Sequence, residues 1–274
     1  MITRIITGVI GICLAAFIIQ SGGTIFALCV TLLALIAWVE YARAFAANGR
    51  PISLTLGLLA ILLLSLCTWQ GNGEELFAIA TAAMMLILLK SVLLHGKDSL
   101  EEAAFSMLGI FYIGLTFAHM LLLRFAGAEI TVSTFAGDMS LGCAFLWITF
   151  LGTWASDTFA YFVGYLCGKH KLCPAISPKK TVEGFIGGLL GTIIVVTALG
   201  VSLNYDLLMM AGLGLCMGII APLGDLVESV VKRYAGVKDS GKIIPGHGGI
   251  LDRFDSVMFT APLVYYFVEI FLLP

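Results

Sequence analysis

Four acidic residues near the end of the chain occur as two pairs with the same spacing and could bind a metal ion. Asp225 and Glu228 lie in an apolar run, and Asp252 and Asp255 stand where the last apolar run begins. A spacing of three residues places both carboxylates of a pair on one face of a helix. An ionised carboxylate at membrane depth costs about 2.5–3.5 kcal/mol, so each pair requires a cation or a basic partner. Hard oxygen ligands favour Mg²⁺.

The alternative to metal binding is that the four carboxylates pair with basic side chains at the membrane interface. Those side chains are Lys232, Arg233 and Arg253.

The segment between the two acidic pairs is rich in glycine and in basic residues. Its glycines are Gly241, Gly246, Gly248 and Gly249, and its side-chain donors are Lys238, Lys242 and His247. Glycine lets backbone N–H groups turn toward one point, and the basic side chains add donors, a combination that suits phosphate oxygens. The GxxxxGK[ST] pattern of nucleotide-binding P-loops is absent, and an ordinary flexible loop is the alternative.

Two further features could take part in the same chemistry. A second group of phosphate-binding candidates consists of Ser177, Lys179, Lys180 and Glu183. Lysines beside a membrane also contact anionic lipid head groups, which is the alternative for this group. Asp157 lies alone within an apolar run. An acid at that depth indicates function, either as a further carboxylate ligand or as a partner for a loop lysine.

The elements that must position these residues are membrane-spanning helices. Of the 274 residues, 60% are hydrophobic and 12% are charged, and the mean hydropathy is +1.05. Soluble domains contain about 25% charged residues. This composition excludes a soluble globular domain, a disordered tail and a surface built for nucleic acid. The seven cysteines are scattered without a CxxC pair, so we interpret them as small apolar residues and not as disulfides or zinc ligands.

Nine apolar runs approach the ~20 residues needed to cross a bilayer, which predicts an all-α polytopic membrane protein. The runs are 5–20, 24–39, 52–69, 76–94, 104–123, 140–167, 184–201, 207–230 and 256–273. With the N-terminus in the cytoplasm and the C-terminus outside, every Lys and Arg except Arg124 falls on the inner side, as the positive-inside rule expects. A signal peptide over the first run is the alternative, although no A-x-A cleavage site follows it.

This topology places the two polar loops, 168–183 and 231–255, on the same cytoplasmic face, where they could build one site. We therefore divide the chain into an N-terminal transmembrane part of about five spans, 1–139, and a catalytic part, 140–274. GlyxxxGly patterns that begin at Gly184, Gly187 and Gly214 predict close helix contacts. Such stripes of small residues also permit a homodimer in the membrane.

The longest recognisable pattern covers residues 229–255. It consists of Ser229, Lys232-Arg233, Lys238-Asp239, Gly241, Ile244-Pro245, His247-Gly248-Gly249-Ile250 and Asp252-Arg253-Phe254-Asp255. This stretch closely resembles the signature of phosphatidate cytidylyltransferases, the CDP-diacylglycerol synthases. The segments 177–184 and around Asp157 also resemble their counterparts in that family. The resemblance covers 153–270 well, whereas for 1–140 it rests on span count and hydropathy.

The resemblance implies the reaction of CTP with phosphatidate to give CDP-diacylglycerol and diphosphate, in phospholipid biosynthesis. It implies Mg²⁺, with a second cation such as K⁺ as an open alternative, and a site on the cytoplasmic face of a bacterial inner membrane. Asp225 and Asp252 are the first choices as metal ligands, and Glu228 and Asp255 follow. Lys238 and His247 join Asp225 and Asp252 as predicted catalytic residues. The predicted substrate-binding residues are Asp157, Ser177, Lys179, Lys180, Glu183, Lys232, Arg233, Lys242, Gly248, Gly249 and Arg253.

Three other functions share parts of this pattern. A CTP-dependent polyprenol or phytol kinase would also need a phosphate site at the membrane rim, but the full signature is that of the cytidylyltransferases. A cation transporter could use Asp157, Asp225 and Glu228 as intramembrane ligands, but it leaves the basic, glycine-rich loop without a purpose. A CDP-alcohol phosphotransferase would need a DxxDGxxAR pattern, which this sequence lacks.

Overall fold

The computed structural model describes residues 2–71, 73–94, 100–134, 137–244, 246 and 248–273, with side chains from residue 6 onward. The first helices are α1 (Ile2–Ser21), α2 (Gly23–Ala47), α3 (Leu54–Trp69), α4 (Leu76–Leu93), α5 (Leu100–Gly109) and α6 (Thr116–Phe125). The later helices are α7 (Leu141–Cys167), α8 (Val182–Ser202), α9 (Leu207–Tyr234), α10 (Leu251–Phe254) and α11 (Val257–Phe271). A 3₁₀ turn, Gly73–Glu75, precedes α4, and a π-helical segment, Ile110–Leu115, joins α5 to α6.

The helices confirm an all-α membrane protein. Within the part of the chain that the structure describes, five helical segments are long and apolar enough to cross a membrane: Gly23–Ala47, Gly73–Leu93, Leu100–Phe125, Val182–Ser202 and Leu207–Tyr234. Shorter apolar helices cover Ile6–Ser21, Leu54–Trp69 and Val257–Phe271. Each of the nine predicted apolar runs coincides with helical structure. The number of spans and the orientation of the termini stay predictions.

Two short antiparallel hairpins complete the described elements. Strands β1 (Thr131–Thr134) and β2 (Gly137–Ser140) pair with each other before α7. Strands β3 (Lys171–Cys173) and β4 (Ser177–Thr181) pair between α7 and α8. The second hairpin lies in the polar segment 168–183 and presents the predicted lysine pair on β4.

The chain forms two compact units, of which the first combines residues 1–122 with 231–254. Its core is built on α2, where Trp38, Tyr41 and Phe45 are almost fully buried. A Cβ at Gly57 would lie 1.9 Å from the Trp38 ring, so α3 can pack there only through a glycine. The Phe45 ring contacts the Tyr234 ring at 6.1 Å between centroids, which joins 231–254 to α2.

The second unit combines residues 123–230 with 255–274. Helix α8 packs on α7 so closely that a Cβ at Gly184 or Gly188 would lie 2.8 Å from a backbone carbonyl oxygen of α7. Gly214 and Gly218 bring α9 equally close to α8. These contacts confirm that the GlyxxxGly patterns mark close helix packing. The predicted division at residue 139 stays a prediction, and the grouping of the glycine-rich loop with the N-terminal helices was not expected from the sequence.

We expect Gly188→Ala to destabilise the protein, because the new Cβ would lie 2.8 Å from the Ser156 carbonyl oxygen and such overpacking costs about 1–3 kcal/mol. Gly212→Ala on α9 is the matched control, since no atom lies within 4 Å of its added Cβ. The thermal unfolding midpoint of the purified protein in detergent should fall for Gly188→Ala alone. Equal midpoints for the two variants would contradict the packing described for α7 and α8.

Candidate functional site

Three carboxylates of the second unit form a group that could hold a metal ion. One carboxylate oxygen from each of Asp225, Glu228 and Asp255 lies within 4.8 Å of the other two. Glu228 is only 2% exposed. Asp225 and Glu228 are one helical turn apart on α9, which confirms that their spacing puts them on one face. The donor set consists of hard oxygens, which Mg²⁺ prefers, so these residues fit such an ion.

Close packing of backbone brings Asp255 to the other two acids. A Cβ at Gly224 would lie 2.5 Å from the Asp255 carbonyl oxygen, so only glycine at this position lets α9 approach the start of α11. The Asp255 carboxylate accepts a 2.7 Å hydrogen bond from the Ser256 N–H, which restricts its side chain. The Ser229 hydroxyl lies 3.4 Å from Asp225 Oδ1.

A cavity of about 520 Å³ opens beside Asp225 in the second unit and is lined by residues of α7, β3, β4, α8 and α9. Its polar lining includes Asp157, Lys179, Lys180 and Asp225, and its aromatic lining includes Tyr161 and Tyr165. Lys180 Nζ lies 2.7 Å from Asp225 Oδ2 and donates to the Pro222 carbonyl oxygen at 3.3 Å. Four predicted site residues therefore line one cavity, whose charged groups and apolar wall suit a phosphate attached to a hydrocarbon chain.

The hairpin that carries the lysines is held by two residues at the start of α8. Thr181 caps the helix, because its hydroxyl accepts a 3.1 Å hydrogen bond from the Gly184 N–H. Glu183 accepts hydrogen bonds from the backbone N–H groups of Lys169 and His170, and its Oε1 lies 2.6 Å from His170 Nδ1. Glu183 thus ties the start of the hairpin to α8. Its predicted role in substrate binding stays a prediction.

Asp252 organises the glycine-rich loop of the first unit. Its Oδ1 accepts a 2.6 Å hydrogen bond from Lys232 Nζ, and its Oδ2 accepts backbone hydrogen bonds from Ser240 at 2.9 Å and Gly249 at 2.8 Å. The Asp252 side chain is 7% exposed. A backbone hydrogen bond from Ile244 to Gly248 closes the loop, and Gly246 and Gly248 have φ of 79° and 87°, which favour glycine.

The helix assumed for the pair Asp252 and Asp255 ends at Phe254, and α11 begins at Val257. The spacing argument therefore does not hold for this pair, because a turn interrupts the helix between the two acids. Asp252 belongs to the first unit and Asp255 to the second. The assignment of Asp252 as a metal ligand stays a prediction.

The other predicted residues of the loop region differ in their surroundings. Arg233 donates a 3.2 Å hydrogen bond to the Val237 carbonyl oxygen at the end of α9. Lys238, Lys242 and Arg253 are exposed, so their charges are available to ligands from solution. His247 lies outside the described residues. The predicted roles of these residues in binding and catalysis stay predictions.

Sequence reasoning missed Glu40, a 3% exposed acid on α2. Its Oε2 accepts hydrogen bonds from the Leu251 N–H at 3.1 Å and the Ser240 hydroxyl at 3.2 Å. Glu40 follows the predicted run 24–39 by one residue and precedes Arg43 by three, so the criterion that singled out Asp157, an acid alone within an apolar run, did not reach it. The partners of Glu40 lie 200 and 211 residues away in the chain, so no local pattern pointed to the loop.

Comparison with known proteins assigns the chain to a family. The model of the cytidylyltransferase family matches residues 2–271. Proteins named phosphatidate cytidylyltransferase from Staphylococcus haemolyticus, Staphylococcus saprophyticus and Staphylococcus aureus are 38%, 39% and 35% identical over 268 residues. Each alignment covers 96% of this chain and 97% of the relative. A chain with this signature, this acidic group and this extent of similarity belongs to the cytidylyltransferase family.

Proposed function

We propose that this protein is an enzyme that transfers the cytidylyl group of CTP to phosphatidate and forms CDP-diacylglycerol and diphosphate. The observation that carries the proposal is similarity at 35–39% identity, over 96% of the chain, to proteins named phosphatidate cytidylyltransferase. A cavity that combines lysines with an apolar wall suits a lipid phosphate. The cation-transporter alternative does not account for either the relatives or the glycine-rich loop.

The chemistry requires positioning and neutralisation of charge more than a protein nucleophile. A phosphate oxygen of phosphatidate attacks the α-phosphorus of CTP and forms the new P–O bond. The bond from the α-phosphorus to the bridging oxygen breaks in line, and diphosphate leaves with the electron pair. Because the phosphate oxygen is already ionised near neutral pH, no general base has to remove a proton, and no residue is assigned a covalent role.

Different residues bind the metal ion, the phosphate of the lipid and the phosphates of CTP. Asp225, Glu228 and Asp255 would hold Mg²⁺, which when bound neutralises negative charge on phosphate oxygens. Lys179 and Lys180 in the cavity bind the phosphate of the lipid. Lys238 and Lys242 on the glycine-rich loop bind phosphate oxygens of CTP. The proposal includes a second cation such as K⁺, and this part of it comes from the family resemblance.

The location follows from the same proposal. We place the protein in the bacterial cytoplasmic membrane with nine spans, the N-terminus inside and the C-terminus outside. Both substrate-binding segments then face the cytoplasm, where CTP is dissolved. In this orientation every Lys and Arg except Arg124 lies on the inner side, which agrees with the positive-inside rule. A homodimer through the stripes of small residues is compatible with the proposal.

Purified protein with Mg²⁺, CTP labelled in the cytidine and dispersed phosphatidate should yield a lipid-soluble cytidine label and free diphosphate. Removal of divalent cations with EDTA should abolish the product, and added Mg²⁺ should restore it. Transfer of only the γ-phosphate of CTP to a polyprenol would instead identify a kinase. Absence of both products from folded protein would refute the proposed reaction.

Replacement of the acidic residues tests the metal assignment in this assay. We expect Asp225→Asn to lower kcat by about 100-fold or more, above the usual effect of outer-shell partners of a metal. Asp252→Asn should also lower the rate, and a higher Mg²⁺ concentration for half-maximal activity would identify it as a ligand. Asp206→Asn is the matched control, because Asp206 accepts from the Met209 N–H at the start of α9 and asparagine caps equally well. An unchanged rate for Asp252→Asn would remove it from the metal site.

Replacement of a cavity lysine tests the lipid-phosphate site. Lys179→Met should raise the KM for phosphatidate roughly tenfold and leave the KM for CTP unchanged, since a hydrogen bond to a charged group contributes about 1.5–3 kcal/mol. Lys171→Met on β3 is the control, because Lys171 carries the same charge on the same hairpin but does not line the cavity. Equal KM values for the two variants would show that the cavity does not bind the lipid phosphate.

A further inference from the structure

Glu40 holds two points of the glycine-rich loop with a single oxygen. Its Oε2 accepts from the Ser240 hydroxyl at 3.2 Å and from the Leu251 N–H at 3.1 Å. Ser240 lies at the start of the segment 240–251 and Leu251 at its end. Both ends of the segment are therefore fixed to α2 through one buried carboxylate.

The loop backbone also packs directly against this carboxylate. A Cβ at Gly241 would lie 2.3 Å from Glu40 Oε1, and a Cβ at Gly249 would lie 2.4 Å from Glu40 Oε2. Neither glycine has a positive φ. These two glycines are therefore required by the approach to Glu40 and, at Gly249, to the Ser240 hydroxyl as well. Gly246 is required by the turn, and Gly248 both by the turn and by Asp252, whose Oδ2 would lie 2.6 Å from an added Cβ.

Stability alone does not explain an acid at this position. Glu40 is 3% exposed, and among the described residues its Oε1 has no hydrogen-bond partner. A buried acceptor without a partner is destabilising. The contribution of Glu40 must therefore come from what its other oxygen does to the loop.

Glu40 acts on the same groups that surround Asp252. The Ser240 hydroxyl lies 3.2 Å from Glu40 Oε2 and 2.9 Å from Asp252 Oδ2, so the two carboxylates share its one hydrogen. The backbone N–H groups of Ser240 and Gly249 donate to Asp252 Oδ2. Any shift of the segment at Glu40 would thus displace the donors of Asp252.

We propose that Glu40 is a positioning residue of the cytidylyl transfer, which holds the glycine-rich loop and Asp252 in the geometry that binds the phosphates of CTP. The inference rests on the proposed function. Glu40 does not touch the substrate; it acts through Ser240, Gly249 and Leu251. Its loss changes the use of CTP and leaves the binding of phosphatidate by the second unit unchanged.

The test compares Glu40→Ala and Glu40→Gln in the labelled-CTP assay, with rates corrected for the folded fraction. Glu40→Ala should lower kcat/KM for CTP at least tenfold, roughly the effect of losing one hydrogen bond to a charged group, with an unchanged KM for phosphatidate. Glu40→Gln keeps an oxygen that can accept from Ser240 and Leu251, so it should retain at least a third of the wild-type value.

Tyr41→Phe is the matched control on the same helix. Its hydroxyl donates to the Phe105 carbonyl oxygen and does not touch the loop, so this change should alter stability without altering the KM for CTP. Gly249→Ala crowds both the Ser240 hydroxyl and Glu40 Oε2 and keeps the carboxylate, so it should lower kcat/KM for CTP even where Glu40→Ala fails to fold.

The outcomes separate the two proposals. Lipid-soluble cytidine product from the wild type upholds the proposed function, whatever the variants do. Wild-type kcat/KM for CTP in folded Glu40→Ala, or in Gly249→Ala where Glu40→Ala does not fold, would overturn the role of Glu40. Equal losses in Glu40→Ala and Tyr41→Phe, or equal effects on both substrates, would also overturn it and leave a purely structural role.

Discussion

Burial of ionised carboxylates among apolar helices is the constraint on which the rest of this structure depends. A buried charge is costly unless it has a partner of good geometry and its remaining lone pairs are satisfied. Asp252 has both, because Lys232 lies 2.6 Å away and two backbone N–H groups bond to its other oxygen. Asp225 is only partly buried, with a side chain 33% exposed, and has Lys180 at 2.7 Å. The turns, the hairpin and the helix ends near these acids are the parts of the chain that deliver such partners.

Glycine serves two different physical purposes near these acids. At Gly246 and Gly248 the backbone has a positive φ, which a glycine adopts without strain. At Gly224 and Gly249 the backbone passes so close to another group that a Cβ would not fit. Composition predicts a phosphate-binding loop from all of its glycines alike, whereas the structure gives them separate reasons: Gly246 turns the chain, Gly249 packs against a carboxylate, and Gly248 does both.

Local properties of the sequence predicted local structure well. Hydropathy is a property of each run by itself, so the apolar runs coincide with helices. The spacing of Asp225 and Glu228 had the expected result because α9 continues through both residues. The same argument did not apply to Asp252 and Asp255, since spacing gives a face only where the helix is unbroken. GlyxxxGly patterns were informative because close packing depends on side-chain size alone.

Long-range partners could not be predicted in this way. Glu40 accepts a hydrogen bond from Ser240, which lies 200 residues later in the chain, and no feature of the sequence near Glu40 predicts that partner. Glu183 accepts hydrogen bonds from the backbone of Lys169 and His170, contacts that the sequence does not predict, and its role in binding substrate stays a prediction. The presence of an acid in a basic segment therefore does not show whether the acid binds substrate or holds the backbone in place, because both roles use the same carboxylate oxygens.

The arrangement of charge also explains why acids and lysines occur together in a protein that handles phosphates. Oxygens of three carboxylates lie within 4.8 Å of one another in the second unit, and two unit charges at such a distance repel by about 3–4 kcal/mol in surroundings of intermediate dielectric constant. Anionic phosphates would be repelled as well unless cationic charge accompanied them. Lys180 supplies one such charge from β4, and a bound divalent cation would supply two more. The acidic group is thus useful to phosphate chemistry only because the surrounding elements bring cations to it.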